Sequence, residues 1–450
     1  MKFSNEILRG LAVAGLAITA AASTTPLRKV VYIDQYHTAT LPGKDVTAGV
    51  THAIMAFANS SLFTTDPPGK YEPFMKVSDV RAMFGNDTKV GVAIGGWGDT
   101  AGFSKGASTN ESRALYAKNV KKMTDDLGFD FVDVDWEYPG GNGADYKQIP
   151  NANKTAEITT FPLFLHALKA ALGCKPLSIA VPGTKPDMVA YGTYQAKSIF
   201  AAVDMINLMS YDLMMRRSNE TNHHTSVVGS LEAVYNYLDI GAPASKINLG
   251  FAFYAKYFET PANTTCDNPV GCRIVAAENA DGSDAGTSGA MTFEAANVSP
   301  APVPAKLAMT TDGTCGAATA GLTCAGHAEA PCCSQYGFCG NSTDFCGQMC
   351  QSAYSSGCTG PDAAKSFRTA LAGGRMDDDE GGMWFWDREQ RLFWTWDSVD
   401  LMRRKFREIV TPLRLGGVMA WSLGEDSAEW DHIRALTALA AKDRPLYIPT

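Results

Sequence analysis

Short apolar runs rich in β-branched residues recur along the chain and alternate with longer stretches of helical spacing. Such runs predict strands buried on both faces, as in a parallel sheet. The helical stretches stop at glycines such as Gly128, Gly173 and Gly241, which accept the backbone conformation that ends a helix. The eight predicted strands are 30–33, 52–57, 89–94, the acidic run within 129–139, 177–181, 205–211, 247–253 and 416–421.

Eight strands alternating with helices predict an α/β fold, a (β/α)8 TIM barrel. Helices are expected at 111–127, from Thr160 to Gly173, at 231–238, at 398–410 and at 428–439. In this fold the chemistry lies at the C-terminal ends of the strands. Glu137, Tyr211, Asp212 and Trp421 all fall at predicted strand ends, which makes them candidates for a site.

The fourth strand carries a row of acids. With a period of two, Asp133, Asp135 and Glu137 share one face, while Trp136 faces the other and is expected in the core. Neighbouring Cα atoms on one face lie roughly 6–7 Å apart, near enough for like charges to raise at least one carboxyl pKa. Buried acids cost stability unless they have partners or a function. A solvated edge strand and a cation site remain the alternatives.

Composition and the N-terminus predict a secreted protein. The net charge of −8 argues against nucleic acid or an anionic membrane as the main partner, and 45% apolar residues are ordinary for a globular chain. Lys2 and Arg9 precede an apolar run that ends in small residues, the pattern of a signal peptide over 1–22. That run is too short to span a bilayer. We therefore expect a soluble monomer, extracellular or in the cell wall.

Sequons and cysteines agree with export. Most of the eleven cysteines lie between Cys266 and Cys358, which suits an oxidising compartment. A zinc site is the alternative, but Cys-x-x-Cys pairs are missing from the sequence. The Asn-x-Ser/Thr sequons begin at Asn59, Asn86, Asn110, Asn153, Asn219, Asn263, Asn297 and Asn341.

Between the seventh and eighth strands, over 258–364, the periodicity breaks and Gly, Ser, Thr, Pro and Cys dominate. A stiff Pro-rich spacer, 301–304, precedes eight cysteines crowded into 315–358. So short a segment buries little core and must be stapled by disulfides. Eight cysteines alone allow 105 connectivities.

The acidic pattern Asp-x-x-Asp-x-Asp-x-Glu over 130–137, followed by Tyr-Pro, resembles the signature of the family 18 glycoside hydrolases, the chitinases and their relatives. The segments 93–96 and 209–212, together with Trp421, also match family motifs. The resemblance implies retaining, substrate-assisted hydrolysis of β-1,4-linked N-acetylglucosamine in chitin and its oligosaccharides. It implies no cofactor and no metal, and His223-His224 lacks the spacing of metal ligands.

The resemblance also implies roles. Glu137 is the general acid and then the base, Asp135 orients the substrate's acetamido group, Asp133 lies behind Asp135, and Tyr211 hydrogen-bonds the acetamido oxygen. The expected substrate-binding residues are Trp97, Tyr138, Met209, Asp212 and Trp421.

Two positions depart from the family pattern. Phe131 stands where the family has glycine, and Ala93 stands where it has a serine that helps to hold the middle aspartate. We expect a shifted pH dependence rather than loss of activity. The alternative is a weak or inactive, lectin-like chitin-binding protein; a toxin-like or wall protein and a hydrolase of glycoprotein core chitobiose are further rivals.

The run Cys332-Cys333-Ser-Gln-Tyr-Gly-Phe-Cys-Gly340 resembles the hevein-type chitin-binding module. The resemblance implies sugar contacts by Ser334, Tyr336, Phe338 and Phe345. It implies the disulfides Cys315–Cys333, Cys324–Cys339, Cys332–Cys346 and Cys350–Cys358. Cys266–Cys272 is expected to close a small loop, which leaves Cys174 as a buried thiol.

The expected organisation has five parts. They are the signal peptide 1–22, the first part of a catalytic barrel 24–258, an insertion and linker 259–313, the hevein-like module 314–359 and the last part of the barrel 365–450.

Overall fold

The apolar runs form the strands of a parallel barrel in the computed structural model, which describes residues 26–319 and 321–442. The predicted signal peptide lies outside the described residues. The first seven barrel strands are β1 (Arg28–Asp34), β2 (His52–Ala58), β3 (Lys89–Gly95), β4 (Phe131–Asp135), β5 (Leu177–Pro182), β6 (Met205–Met209) and β7 (Ile247–Ala252). The helices among them are α1 (Val77–Ala82), α2 (Ala101–Ala107), α3 (Asn110–Leu127), α4 (Thr155–Leu172), α5 (Thr193–Ala202) and α6 (Val227–Leu238).

Helix α4 begins earlier than the sequence predicted. It starts at Thr155 rather than after Thr160, and Pro162 lies inside it. Its first turn is held by tertiary contacts, because the buried Glu157 accepts hydrogen bonds from Ser104 Oγ at 2.6 Å and Gly140 N at 2.9 Å. Local capping signals contain no information on such distant partners. Helix α3, in contrast, ends at the predicted Gly128, which has a φ of 75°.

After β7 the chain leaves the barrel and builds a second, antiparallel sheet that the sequence analysis did not foresee. Strands β8 (Tyr254–Glu259) and β9 (Ser288–Thr292) come first, followed by the short helix α7 (Ala295–Val298). The linker and the cysteine-rich module follow and form two small sheets of their own, β10 (Ala308–Met309) with β11 (Leu322–Thr323) and β12 (Cys332–Cys333) with β13 (Cys339–Gly340), before helix α8 (Thr343–Cys346). Before the chain returns to the barrel it forms helix α9 (Ala363–Gly373) and strands β14 (Arg375–Asp377), β15 (Gly382–Asp387) and β16 (Leu392–Trp396).

The second sheet has the strand order β14-β15-β16-β8-β9. Its core joins Tyr257 of β8, Trp394 of β16 and Phe367 of α9. The expected linker 259–313 and the expected barrel segment 365–450 therefore both contain strands of this sheet.

The last strand closes the barrel. Helix α10 (Val399–Lys405) and a π-helical turn (Phe406–Val410) lead to β17 (Gly417–Trp421), and α11 (Asp431–Lys442) follows. Strand β17 pairs in parallel with both β7 and β1, which gives the closed order β1-β17-β7-β6-β5-β4-β3-β2. All eight strands therefore present their C-terminal ends at one rim. In the described part of the chain, helices long and apolar enough to cross a membrane do not occur.

Phe131, the residue in place of the family's glycine, fits into the barrel beside Gly91 of the neighbouring strand. A Cβ added at Gly91 would lie 2.5 Å from the Phe131 ring. The ring also meets the edge of His52, with centroids 5.4 Å apart. The large side chain is thus accommodated below the site, in the layer inside the barrel.

Four of the five expected disulfides are bonded in the structure: Cys315–Cys333, Cys324–Cys339, Cys332–Cys346 and Cys350–Cys358. The fifth expected bond, Cys266–Cys272, is not formed in the structure, although the two thiols lie side by side. The Cys272 thiol instead donates to the carbonyl oxygen of Asn268 at 3.5 Å. Cys174 is exposed rather than buried, since it follows the end of α4 at the surface.

Candidate active site

Three carboxylates lie in a row where β4 ends. Asp133 and Asp135 belong to the strand, and Glu137 follows its last residue. The residues are 0%, 3% and 9% exposed, so the acids predicted to share a face point into the barrel rather than into solvent. Gly95 at the end of β3 permits this close packing, because a Cβ there would lie 2.2 Å from the Asp135 carbonyl oxygen. Trp136 is buried and stacks on Phe103, as expected of a core residue.

Asp133 is held by three donors from three other strands. Tyr32 OH donates at 2.8 Å, Ser178 Oγ at 2.5 Å and Asn207 Nδ2 at 3.1 Å. Burial raises the pKa of Asp133 to about 6, although these three bonds favour the charged form. Ala93 is the direct β3 partner of Asp133 and offers no hydroxyl. Ser178 on β5, the other neighbour of β4, supplies one instead.

Asp135 and Glu137 both favour protonation. Burial raises the pKa of Asp135 well above its usual value, and the charges of Glu137 and Asp133 add to the effect. Asp135 Oδ1 has no hydrogen-bond partner among the described residues. Burial likewise raises the pKa of Glu137 to about 7, with further contributions from Asp212 and Asp187. A carboxyl group with such a pKa can donate a proton near neutral pH.

Asp212 has the opposite environment. It follows β6 with a φ of 55°, and its carboxylate accepts a hydrogen bond from Tyr254 OH at 2.7 Å. Lys256 Nζ lies 3.1 Å away and His224 Nδ1 lies 3.6 Å away. Burial opposes its charge, but these neighbours hold the pKa of Asp212 well below its usual range. Asp212 therefore stays ionised while the Glu137 carboxyl can hold a proton.

Aromatic side chains form the floor of the site. The Trp421 ring lies 5.4 Å from Phe57, to which it is nearly parallel, and 5.4 Å from Tyr32. Trp97 is half exposed at the rim and meets the edge of Tyr138 at 6.4 Å. Flat apolar rings next to carboxylates suit a polar ligand with apolar C–H faces, such as a sugar.

The predicted site residues come together in one cleft made of two adjoining pockets. Among the site residues predicted on the barrel strands, Asp133 is the exception, because it is fully buried beneath the cleft. The cleft is lined by Trp97, Asp135, Glu137, Tyr138, Met209, Tyr211, Asp212 and Trp421.

Sequence reasoning missed Tyr32, Ser178, Asn207, Tyr254 and Lys256. Ser178 and Asn207 carried a usable signal, because each is a polar residue within a strand that is otherwise apolar. A polar side chain in such a strand requires a buried partner. Lys256 had no local signal, because it lies on β8, the strand of the second sheet that leaves the barrel.

The module presents two of its four predicted sugar contacts to solvent. Tyr336 is 76% exposed and Phe338 is 55% exposed. Ser334 is buried, and its Oγ accepts a hydrogen bond from Phe338 N at 3.3 Å, so it shapes the loop beside the rings. Phe345 is partly buried against the Cys332 and Cys346 cluster.

Two acids and a histidine at the rim lie close enough together to be compared with the ligands of a metal site. Asp34, His37 and Glu425 bring their polar atoms within 4.8 Å of one another. The Asp34 oxygens already accept hydrogen bonds from His37 Nδ1 at 2.9 Å and Ser422 Oγ at 2.6 Å. We therefore interpret this group as an ion cluster that joins the first and last barrel strands.

Comparisons with known proteins give a family match over most of the chain. The sequence pattern of the family described as "Glycosyl hydrolases family 18" matches residues 28–426. Endochitinase 1 of Metarhizium robertsii is 35% identical over 183 residues, which cover 38% of this chain and 42% of that protein. Chitinase 1 of Aphanocladium album is 28% identical over 257 residues, which cover 51% of this chain and 59% of that protein. The chain thus spans about half the length of these relatives.

Solved structures share the fold. A chitinase from Rhizomucor miehei has a TM-score of 0.62 at 16% identity, over 92% of this chain and 99% of that one. A family 18 chitinase from Cycas revoluta, solved in complex with (GlcNAc)3, has a TM-score of 0.60 at 18% identity, again over 92% and 99%.

Proposed function

Because this chain belongs to family 18 of the glycosyl hydrolases, we propose that it is a chitinase that cleaves β-1,4 linkages between N-acetylglucosamine units. The observation that carries this proposal is the cleft itself. A protonatable Glu137 and the buried Asp135 adjoin an aromatic floor centred on Trp421. A residue that donates a proton and a flat surface that holds a sugar ring are both needed for glycoside cleavage.

The proposed reaction has two steps. Glu137 gives its proton to the glycosidic oxygen while the substrate's acetamido oxygen attacks the anomeric carbon, so that the bond to the leaving sugar breaks. The Glu137 carboxylate then takes a proton from water, which attacks the same carbon, reopens the oxazolinium ring and restores the acetamido group. Two displacements at one carbon give net retention.

The neighbouring groups support the charge that develops. Asp135, next to Glu137 in the row, accepts a hydrogen bond from the N–H of the acetamido group as that group becomes cationic. Tyr211 is held in the cleft with its hydroxyl over Met419 Sδ at 3.8 Å, where it can donate to the acetamido oxygen. Preorganised groups of this kind stabilise a transition state without having to reorganise.

We further propose that the protein is secreted and that residues 314–359 bind chitin. The signal pattern over 1–22 supports export. The exposed Tyr336 and Phe338 rings on a scaffold of four disulfides support sugar binding, because so small a module has little core for them to fill.

The test is hydrolysis of chitin oligosaccharides and colloidal chitin by the wild type and Glu137→Gln. We expect the substitution to lower kcat by roughly 10²–10⁴-fold, because the amide cannot donate the proton, while binding to chitin is kept. If neither protein hydrolyses and both bind, the protein is a lectin-like chitin binder and the proposal is wrong.

A further inference from the structure

A β-hairpin in the connection between β8 and β9 reaches over the rim of the barrel; we call residues 277–285 the rim hairpin. Ala285 N donates to the Ala277 carbonyl oxygen at 3.1 Å, and Asn279 N donates to that of Ser283 at 2.9 Å. These two bonds flank the paired residues Glu278 and Asp284 and hold the two arms of the hairpin together. It is therefore a defined element of the rim.

The rim hairpin is bonded to the loop that follows β4, on the other side of the cleft. Tyr146 OH donates to Glu278 Oε2 at 2.6 Å, and Gln148 Nε2 donates to the Asp281 carbonyl oxygen at 2.5 Å. The Glu278 side chain, next to the base of the hairpin, is only 11% exposed. The contacts thus join the βα loops of the fourth and seventh barrel strands.

Arg217, from the loop after β6, contacts both the rim hairpin and the loop that follows β4. Its guanidinium stacks on the Tyr146 ring at 4.2 Å and lies 4.0 Å from Glu278 Oε1. It also contacts Asp187 Oδ1 at 3.2 Å and donates to the Asn142 carbonyl oxygen at 2.6 Å. One cation therefore links the loops after β4, β5 and β6 to the rim hairpin.

The closure lies on the leaving-group side of the cleft. Asp135 and Trp421 line the larger pocket, of about 600 Å³, where the sugar that is attacked would lie. Glu137 lines both pockets, and Arg217 and Glu278 line the smaller one, of about 180 Å³. The bond that breaks lies beside Glu137, so the leaving group, which carries the reducing end of the polymer, extends into the smaller pocket.

We propose that the rim hairpin limits the leaving group to a short oligosaccharide, so that the enzyme removes short pieces from the reducing end of chitin rather than cutting within the chain. This inference rests on the proposed chitinase activity. It follows from the wall that Glu278, Tyr146 and Arg217 build across the cleft, since a long leaving group would have to displace it.

The experiment compares the wild type with a variant in which residues 278–284 are replaced by Asn-Gly. Ala277 and Ala285 already form a hydrogen-bonded pair, and a two-residue Asn-Gly turn can connect such a pair. Soluble glycol chitin is digested, and the fall in viscosity is compared with the number of new reducing ends. Chitohexaose labelled at its reducing end gives the size of the released piece.

For the wild type we expect a small fall in viscosity per bond cleaved and the label only in the monosaccharide and disaccharide. The shortened variant should lose viscosity several-fold faster per bond and release the label in trisaccharides and longer pieces. Equal viscosity loss per bond in the two proteins, or label in long pieces from the wild type, overturns the proposal.

Two further measurements keep the outcomes distinct. Hydrolysis of 4-methylumbelliferyl chitobioside, whose leaving group is small, reports the basic activity, and its absence in the wild type refutes the chitinase proposal itself. If the shortened variant does not fold, the pair Tyr146→Phe and Glu278→Gln weakens the closure and should move the viscosity ratio in the same direction. The matched control is Glu232→Gln on α6, because it removes the same charge as Glu278→Gln at an exposed position outside the hairpin and the cleft.

Discussion

At the scale of single residues, the support of Asp133 shows how a missing hydroxyl is replaced. Ala93 is paired with Asp133 across the β3–β4 ladder, and Ser178 is its partner on β5. Asp133 thus has a hydroxyl donor on β5 although its β3 partner offers none. A donor on either neighbouring strand reaches the same carboxylate, because both flank β4 in the barrel.

Ser178→Ala should lower kcat/KM roughly 5–30-fold, equivalent to about 1–2 kcal/mol for a lost bond to a buried charged group. Adding Ala93→Ser should restore part of the loss, because residue 93 is the direct neighbour of Asp133. Steady-state kinetics on 4-methylumbelliferyl chitobioside measure both effects. The exposed Ser108→Ala serves as the control, and equal losses with and without Ala93→Ser would contradict the exchange of donors.

The pH profile of kcat/KM should fall as the pH rises through about 7. The pKa of Glu137 is raised to about 7, and only its protonated form can donate to the glycosidic oxygen, so activity is present below this pKa and lost above it. Asp212→Asn should move that limb to lower pH by roughly 0.5–1 pH unit, because it removes a negative charge that favours the proton on Glu137. A limb that stays in place would show that another group controls it.

The sequence identified the acids and strand-end residues of the site because their positions depend only on where each strand ends. Glu137, Asp212 and Trp421 are examples. Ser178 and Asn207 could not be assigned to Asp133 in the same way. Their role depends on which strands are neighbours and in which register, and this information is not local.

At the scale of elements, the contact between β3 and β4 shows how two adjacent strands share volume. The Phe131 ring occupies the space in which a side chain at Gly91 would lie. Because protein interiors are close-packed, a larger side chain at position 91 requires a smaller one at position 131 if the packing is to be kept.

Gly91→Ala should destabilise the protein by about 1–3 kcal/mol through overpacking. Phe131→Leu should relieve much of this cost in the double variant, since it shortens the side chain that the new methyl group meets. Urea denaturation of the wild type, both single variants and the double variant gives the four free energies of unfolding. Additive effects in the double variant would refute the shared volume.

The barrel strands were predictable and the second sheet was not. Each barrel strand is a local apolar run, but the second sheet pairs residues far apart in sequence, such as Glu259 of β8 with Leu392 of β16. A local signal did exist, because the aromatic runs that form β15 and β16 flank a short polar turn and are typical of a hairpin. The sequence instead predicted the last part of the barrel over 365–450 and no strands over 382–396.

At the scale of the whole molecule, the module is joined to the second sheet by specific contacts. Gln348 Nε2 donates to Glu259 Oε2 at 3.0 Å, and Arg391 holds the other oxygen of Glu259 at 3.0 Å. Met349 packs against the core of the sheet. The module is therefore held on the sheet that also carries Lys256 of the cleft.

Tyr336→Ala combined with Phe338→Ala should weaken binding to insoluble chitin about tenfold, equivalent to about 1.4 kcal/mol. Hydrolysis of colloidal chitin should fall, and hydrolysis of soluble oligosaccharides should not, because the cleft is untouched. Pull-down with chitin and product analysis measure the two effects. The exposed Tyr194→Ala, on α5 of the barrel, is the matched control, and unchanged chitin binding in the double variant would contradict a sugar-binding face.

The closure of the barrel by β17 has a consequence for synthesis in the cell. The hydrogen bond from Ser422 Oγ to Asp34 Oδ2 joins residues 388 positions apart. Between β7 and β17 the ribosome must make the second sheet and the module, roughly ten to thirty seconds of translation at about 5–20 residues per second. During that time β1 and β7 are open edges that can pair with other chains. The open edges make this interval the one in which the nascent protein is most exposed to aggregation.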